Sequence, residues 1–298
     1  MKSDTNISLT SARPMQKVLV GAFIISFSAV WVGFADVPAT TSAFYRVAFG
    51  AIFLFIAAVF TGELKQINLT QVFPYSICGL LFALDLFCWH KSILSVGPGL
   101  ATILGNCQVF IMAICGALFL GEKLTPRFVF SLPIAIFGLL LLIGFDWSGL
   151  SQSSTRGIIY GLLTALSYAL FMLMLRRVQA STDGELLYSP LLFVSAFCAV
   201  FLAVPIFMTD TSLVIPDLES FGSLLALGLF SQAAGWIIIA TAMPKIPASL
   251  TGLVLLLQPF LAFLWDVTLF SRPTTFVHWL GVLITLTAIY LGISGKQN

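Results

Sequence analysis

Residues 99–125 read GLATILGNCQVFIMAICGALFLGEKLT. From Gly99 to Leu120 there is no charged side chain, and a helix needs about 20 such residues to cross a hydrocarbon layer of about 30 Å. Backbone polar groups left unpaired in lipid are too costly to tolerate, so a run of this length and polarity predicts a spanning helix. The charges arrive together just after it, at Glu122 and Lys123, behind the turn-forming Gly121.

The same pattern recurs along the whole chain. Ten apolar stretches can be marked: Lys17–Ala35, Thr40–Phe60, Val72–Lys91, Gly99–Leu120, Phe128–Phe145, Gly157–Val178, Leu187–Met208, Phe221–Thr241, Ala248–Phe270 and Thr275–Ser294. Of the 298 residues 59% are hydrophobic and 9% charged, against about 25% charged in an ordinary soluble domain. The fold class expected is therefore all-α, a polytopic membrane protein with no stretch left over for a soluble domain. The apolar run after Lys17 is too long for the core of a signal peptide and is read as the first span.

Positive charge tests that count, because cytoplasmic loops retain Lys and Arg. With the amino terminus inside, the inner segments hold Lys2, Arg13, Lys17, Lys65, Lys123, Arg127, Arg176, Arg177, Lys245 and Lys296. The outer ones hold Lys91, Arg156 and Arg272, together with an acidic loop carrying Asp210, Asp217 and Glu219, while Arg46 lies within the second span. The asymmetry predicts a multi-pass protein of a bacterial inner membrane with both termini cytoplasmic.

Shifting the chain by about 150 residues lays the opening stretch on SLTGLVLLLQPFLAFLWDVTLFSRPTT, residues 249–275. Gln108-Val109-Phe110 then falls on Gln258-Pro259-Phe260, and Gly121-Glu122-Lys123-Leu124-Thr125 on Ser271-Arg272-Pro273-Thr274-Thr275. The correspondence predicts two five-helix halves, residues 1–150 and 151–298. Five is odd, so the second half enters the membrane from the opposite side, the inverted repeat that secondary transporters use.

Five plus five helices, the Leu120-Gly121-Glu122-Lys123-Leu124-Thr125 stretch and the Gln258-Pro259 pair together resemble the EamA branch of the drug/metabolite transporter superfamily. The resemblance extends over nearly the whole chain. It implies ten helices in two inverted EamA-like halves and a transporter of small solutes, with members that export amino acids, metabolites or drugs and others that import. The second half departs from the pattern, with Phe270-Ser271-Arg272-Pro273-Thr274 where a Gly-Glu pair belongs and Gln258 where many members carry Glu. Export of amino acids or related metabolites by alternating access is the function the resemblance favours. Choline-like or other organic cations form an alternative substrate class, and a non-transporting structural subunit an alternative role.

Polar groups inside a spanning helix cost about 2.5 to 3.5 kcal/mol at its centre, so each is a candidate for function. Asp85 in the third span is read as a proton carrier or as counter-charge for a cation; the competing reading is a structural ion pair with Arg46. Trp89, one turn on, shares its face. His90 is a titratable group near the helix end and a candidate for a substrate carboxylate. Asn106, Gln108 and Gln258 are mid-span amides that bind either substrate or neighbouring helices, and Pro259 frees a carbonyl beside Gln258. Trp31, Tyr168 and Trp236 are deep aromatics suited to stacking or to cation–π attraction, with ordinary packing as the other reading.

Several classes find no support in the pattern. No basic stripe suggests nucleic acid, no P-loop suggests ATP, and no nucleophile–base constellation suggests an enzyme. No metal or other cofactor is expected. The five cysteines, Cys78, Cys88, Cys107, Cys115 and Cys198, lie in apolar runs as small hydrophobes. The expected partners are a small-molecule solute, a coupling proton or ion and membrane lipid, the protein acting as a monomer or homodimer.

Overall fold

A computed structural model describes residues 4–67, 69–143, 154–182, 186–209 and 211–294. Lys2, Asp210 and Lys296 of the charge pattern, and the boundary at 150/151, lie outside the described residues. The described chain is helical, without strands. Its α-helices are α1 (Asp4–Ser26), α2 (Ser28–Phe34), α3 (Ala39–Thr61), α4 (Leu69–Asn106), α5 (Gln108–Phe119), α6 (Pro126–Ile143) and α7 (Ser154–Ala180). They continue with α8 (Ser189–Met208), α9 (Leu218–Ala226), α10 (Trp236–Ala242), α11 (Ala248–Val254), α12 (Leu257–Leu269) and α13 (Phe276–Ser294). A π-helical segment, Leu227–Gly235, joins α9 to α10.

Among the described residues nine stretches are long and apolar enough to cross a membrane. The difference from ten has one cause: Thr70–Phe119 runs as a single stretch of 50 residues, which would be about 75 Å long if straight. It is not straight. Gly97 breaks α4 at φ 79°, ψ 162°, directly before Pro98, and Cys107 separates α4 from α5. The third predicted span also ends too early at Lys91, because the helix continues to the break and its Ser92 donates to Gly157 O at 2.8 Å.

Packing between helices is reciprocal. α7 lies on α4 while α1 lies on α10 and the π segment, α3 lies on the π segment while α4 lies on α8, and α6 lies on α13. The α6–α13 crossing needs bare backbone, since lipid is as apolar as the helices and close approach supplies the association. A Cβ on Gly281 would collide with Leu142 N and stand 2.6 Å from Gly138 O. Gly281→Ala should therefore destabilise the protein by about 1–3 kcal/mol, read as a lowered melting temperature in detergent.

The turns after α5 and α12 are built alike. Leu120 N and Glu122 N both donate to Gly116 O at 3.2 and 2.9 Å, and Phe270 N and Arg272 N both donate to Asp266 O at 3.1 Å. Each turn has a left-handed residue at its second position, Gly121 at φ 65° and Ser271 at φ 52°. The next residue in each turn differs in charge. Glu122 accepts from Ala248 N, Ser249 N and Ser249 Oγ at the amino end of α11. Arg272 donates to Ile143 O at the carboxyl end of α6 at 3.0 Å and pairs with Asp266 at 3.5 Å. An anion at a helix start and a cation at a helix end are both complementary to the macrodipole.

A second Gly-Glu turn does the same work. Gly62 (φ 75°) precedes Glu63, which is buried and accepts from Leu187 N, Tyr188 N and Ser189 N, each at 2.9 Å, at the start of α8. Arg176 closes this region by donating to the carbonyls of Met243, Pro244 and Ile246. At the other ends of these helices Thr41 and Tyr45 donate to Ser212 O and Leu213 O at 2.7 Å. There Asp217 caps α9, and the Ser220 N–H bond holds its carboxyl below the usual range.

Candidate functional site

Halfway along the bundle, α3, α4, α7, α8 and the π segment bring their polar residues to one place. On α4, Phe82, Asp85 and Trp89 fall at i, i+3 and i+7, a single face. On α3, Arg46 lies seven residues below the helix start, about 10 Å into the span. Its Nε donates to Gln232 Oε1 at 3.1 Å, and Gln232 Nε2 donates to Ser195 Oγ at 3.0 Å. The guanidinium also lies over the Phe82 ring at 5.9 Å.

Asp85 and Arg46 are within electrostatic reach of each other and of Tyr168 and Cys198. They do not form an ion pair: among the described residues the pair found is Arg272–Asp266. Asp85 is 8% exposed and accepts no hydrogen bond from the described residues, and the Arg46 terminal nitrogens donate none to them. The structural-pair reading of Asp85 therefore lacks its contact.

Aromatic rings pack around the two charges. Phe82 stacks on Phe171 at 4.5 Å, and Trp236 stands edge-on to Phe171, Phe82 and Tyr168 at 5.1, 5.9 and 6.5 Å. The Trp236 indole N–H is buried without a partner among the described residues. Trp236 and Gln232 are buried, at 2% and 1% exposed, while Arg46, Tyr168 and Trp89 are half-buried. A groove of about 610 Å³ lies elsewhere, between α4, α5 and α7, and is lined by Leu81, Phe119, Leu173 and Arg177.

Two stretches of the chain, residues 15–144 and 155–294, each match the model of the EamA-like transporter family. The chain belongs to that family. It is thus a small-solute transporter of the drug/metabolite transporter superfamily and not an enzyme, a multi-pass membrane protein by its helices.

Relatives of this EamA-like transporter agree. Over 286 residues it is 23% identical to the probable amino-acid metabolite efflux pump of Escherichia coli (strain K12), covering 92% of this chain and 91% of that protein. Over 199 residues it is 26% identical to the pseudopaline exporter CntI of Pseudomonas aeruginosa (strain UCBPP-PA14), covering 66% of each. A solved crystal structure superposes with a TM-score of 0.79 at 15% identity, over 96% of this chain and 99% of its own, and shares the fold.

The candidate residues divide by location. Asp85, Tyr168 and Trp236 meet around Arg46, with Trp89 on the same face one turn from Asp85. His90 is buried and its Nδ1 lies 2.6 Å from Leu86 O, one turn back on its own helix. Asn106 donates to Thr102 O at 2.8 Å, again within its helix. Gln108 is buried and donates to Gly252 O at 3.2 Å, joining α5 to α11. Gln258 leads α12 with its amide nitrogen buried and unpartnered among the described residues. Trp31 stacks on Phe230 at 6.1 Å in a separate apolar cluster with Tyr45 and Phe49.

Three participants escape the sequence reading. Gln232 and Ser195 are polar residues in apolar spans, and the cost of an amide in lipid is a readable signal for Gln232. Serine satisfies its own hydroxyl within a helix too easily to stand out. Glu63 is marked by its Gly62, a second copy of the Gly121-Glu122 pair.

Proposed function

We propose that this EamA-like transporter is a secondary exporter of amino acids or related zwitterionic metabolites, working by alternating access across a bacterial inner membrane. One observation carries the reading: Asp85, buried, and Arg46, half-buried, lie in a single aromatic-walled cluster, opposite in charge and unpaired with each other. Desolvated charges left uncompensated are costly unless a ligand or proton completes them. A zwitterion offers one group for each, its ammonium to Asp85 and its carboxylate to Arg46, with the rings of Trp236, Phe171 and Tyr168 against its side chain. A simple organic cation leaves Arg46 unanswered, so it is the weaker alternative.

The transport cycle rests on the architecture we assign. Counting the stretch broken at Gly97 as two spans gives ten, arranged as two inverted copies of five helices over residues 1–150 and 151–298. The two family matches, the reciprocal packing and the matching turns at Gly121 and Ser271 support this reading. The Lys and Arg bias puts both termini and the Glu63 and Glu122 contacts on the cytoplasmic face. Rocking of one copy against the other then exposes the cluster to each side in turn. Asp85 couples the cycle to protons, because its charge state is linked to what occupies the site.

Purified protein in liposomes, supplied with a panel of labelled amino acids and amines, tests the proposal. Saturable amino-acid flux driven by a pH gradient is the expected result. The absence of saturable flux for every zwitterion in the panel would refute it.

A further inference from the structure

Among the described residues, Gln232 is the uncharged polar side chain that grips the Arg46 guanidinium, and its amide is fixed at both ends. Arg46 Nε donates to its Oε1 at 3.1 Å and its Nε2 donates to Ser195 Oγ at 3.0 Å. The reverse orientation would set two N–H donors against each other, so the network permits only one arrangement. The residue is delivered by the π-helical segment, a widened turn that proteins often place at functional positions. It is also pressed onto α3: a Cβ on Gly50, one turn below Arg46, would collide with Gln232 Cγ.

The grip leaves a particular part of Arg46 available. With Nε occupied, the two terminal nitrogens form the remaining edge of the planar fork, the geometry that binds a carboxylate through two parallel bonds. A carboxylate at position 232 would hold Nε equally well but would cancel the charge. We infer that Gln232 determines specificity: by holding Arg46 through a neutral amide, it keeps the guanidinium charge for the carboxylate of the transported solute, and so selects zwitterions over the corresponding amines. The inference rests on the reading of the Arg46–Asp85 cluster as the solute site.

Gln232→Glu is the deciding variant, because it changes charge while keeping shape, and the Ser195 hydroxyl can turn to donate to the new carboxylate. Full-length protein in liposomes is given two matched pairs, phenylalanine with phenethylamine and leucine with isopentylamine. Wild-type protein should prefer the amino acids. In Gln232→Glu the preference should shift toward the amines by about tenfold or more, the scale of losing one charged hydrogen bond. Gln232→Met, of similar length and neutral, should retain the wild-type order of preference at a lower rate. A Gln232→Glu protein that melts at the wild-type temperature and keeps the wild-type ratio would overturn the inference, as would a reversed order in Gln232→Met should the charged variant not fold. If wild-type protein itself does not discriminate within either pair, the reading of the site fails and takes this inference with it.

Discussion

Asp85→Asn is expected to flatten the pH profile of transport and to reduce gradient-driven flux by about 10–100-fold. The magnitude follows from one hydrogen bond to a charged group, about 1.5–3 kcal/mol. Asn keeps the volume and the polarity of the site, so the helices around it should pack as before. What it loses is the proton: a carboxyl group exchanges one as solute comes and goes, and a carboxamide has none to exchange. Nothing among the described residues pairs with the carboxylate. The bilayer interior therefore supplies a strong reason for it to take a proton or a cation. Exchange of labelled solute in the absence of a gradient should suffer less than accumulation against one. A variant with the wild-type pH profile and wild-type accumulation would eliminate Asp85 as the coupling group.

Glu63→Gln should lower stability by about 2–4 kcal/mol, seen as a fall in melting temperature of the detergent-solubilised protein. Glu63 is 4% exposed, and both its oxygens are used by the three backbone N–H groups that open α8. Those donors have no carbonyl of their own helix to bond. The carboxylate satisfies them and adds its charge to the positive end of the helix dipole. A carboxamide has one oxygen, and its NH2 group would face a backbone donor, leaving a buried N–H unpaired at about 1–3 kcal/mol beyond the lost charge. Glu63→Asp is too short to reach and should fare little better. A melting temperature within about a degree of wild type for Glu63→Gln would show that the contact contributes nothing. Because Glu63 lies in the first family match and α8 in the second, the same variant reports on whether the two copies are held together at this face.

How far the sequence can be read differs from residue to residue. Asp85 is visible because a lone carboxylate in an apolar run is expensive wherever the rest of the fold lies. Trp236 and Tyr168 are visible as deep aromatics, although Trp31, marked out on the same grounds, packs on Phe230 instead. His90, Asn106 and Gln108 stand out for polarity, and each bonds a backbone carbonyl, as a polar group in lipid does when no ligand is offered. Arg46 shows in the sequence only as a neutralising partner. Its part in the cluster depends on Gln232, 186 residues away, and no local pattern links the two.

Which segments are fit to cross the bilayer was determined by the sequence alone, because partition into hydrocarbon is a sum over about twenty neighbouring side chains and needs no knowledge of other helices. Membership of the family was likewise carried by local features, a Gly-Glu turn after a spanning run and its echo half a chain later. Only the tertiary structure decided which polar residues meet. Inside a membrane, helices associate by the fit of small residues and by hydrogen bonds between non-adjacent segments, since lipid and side chains are equally apolar. The Arg46–Gln232–Ser195 network arises from that fit, at Gly50 against the π-helical turn, and hydropathy does not encode it.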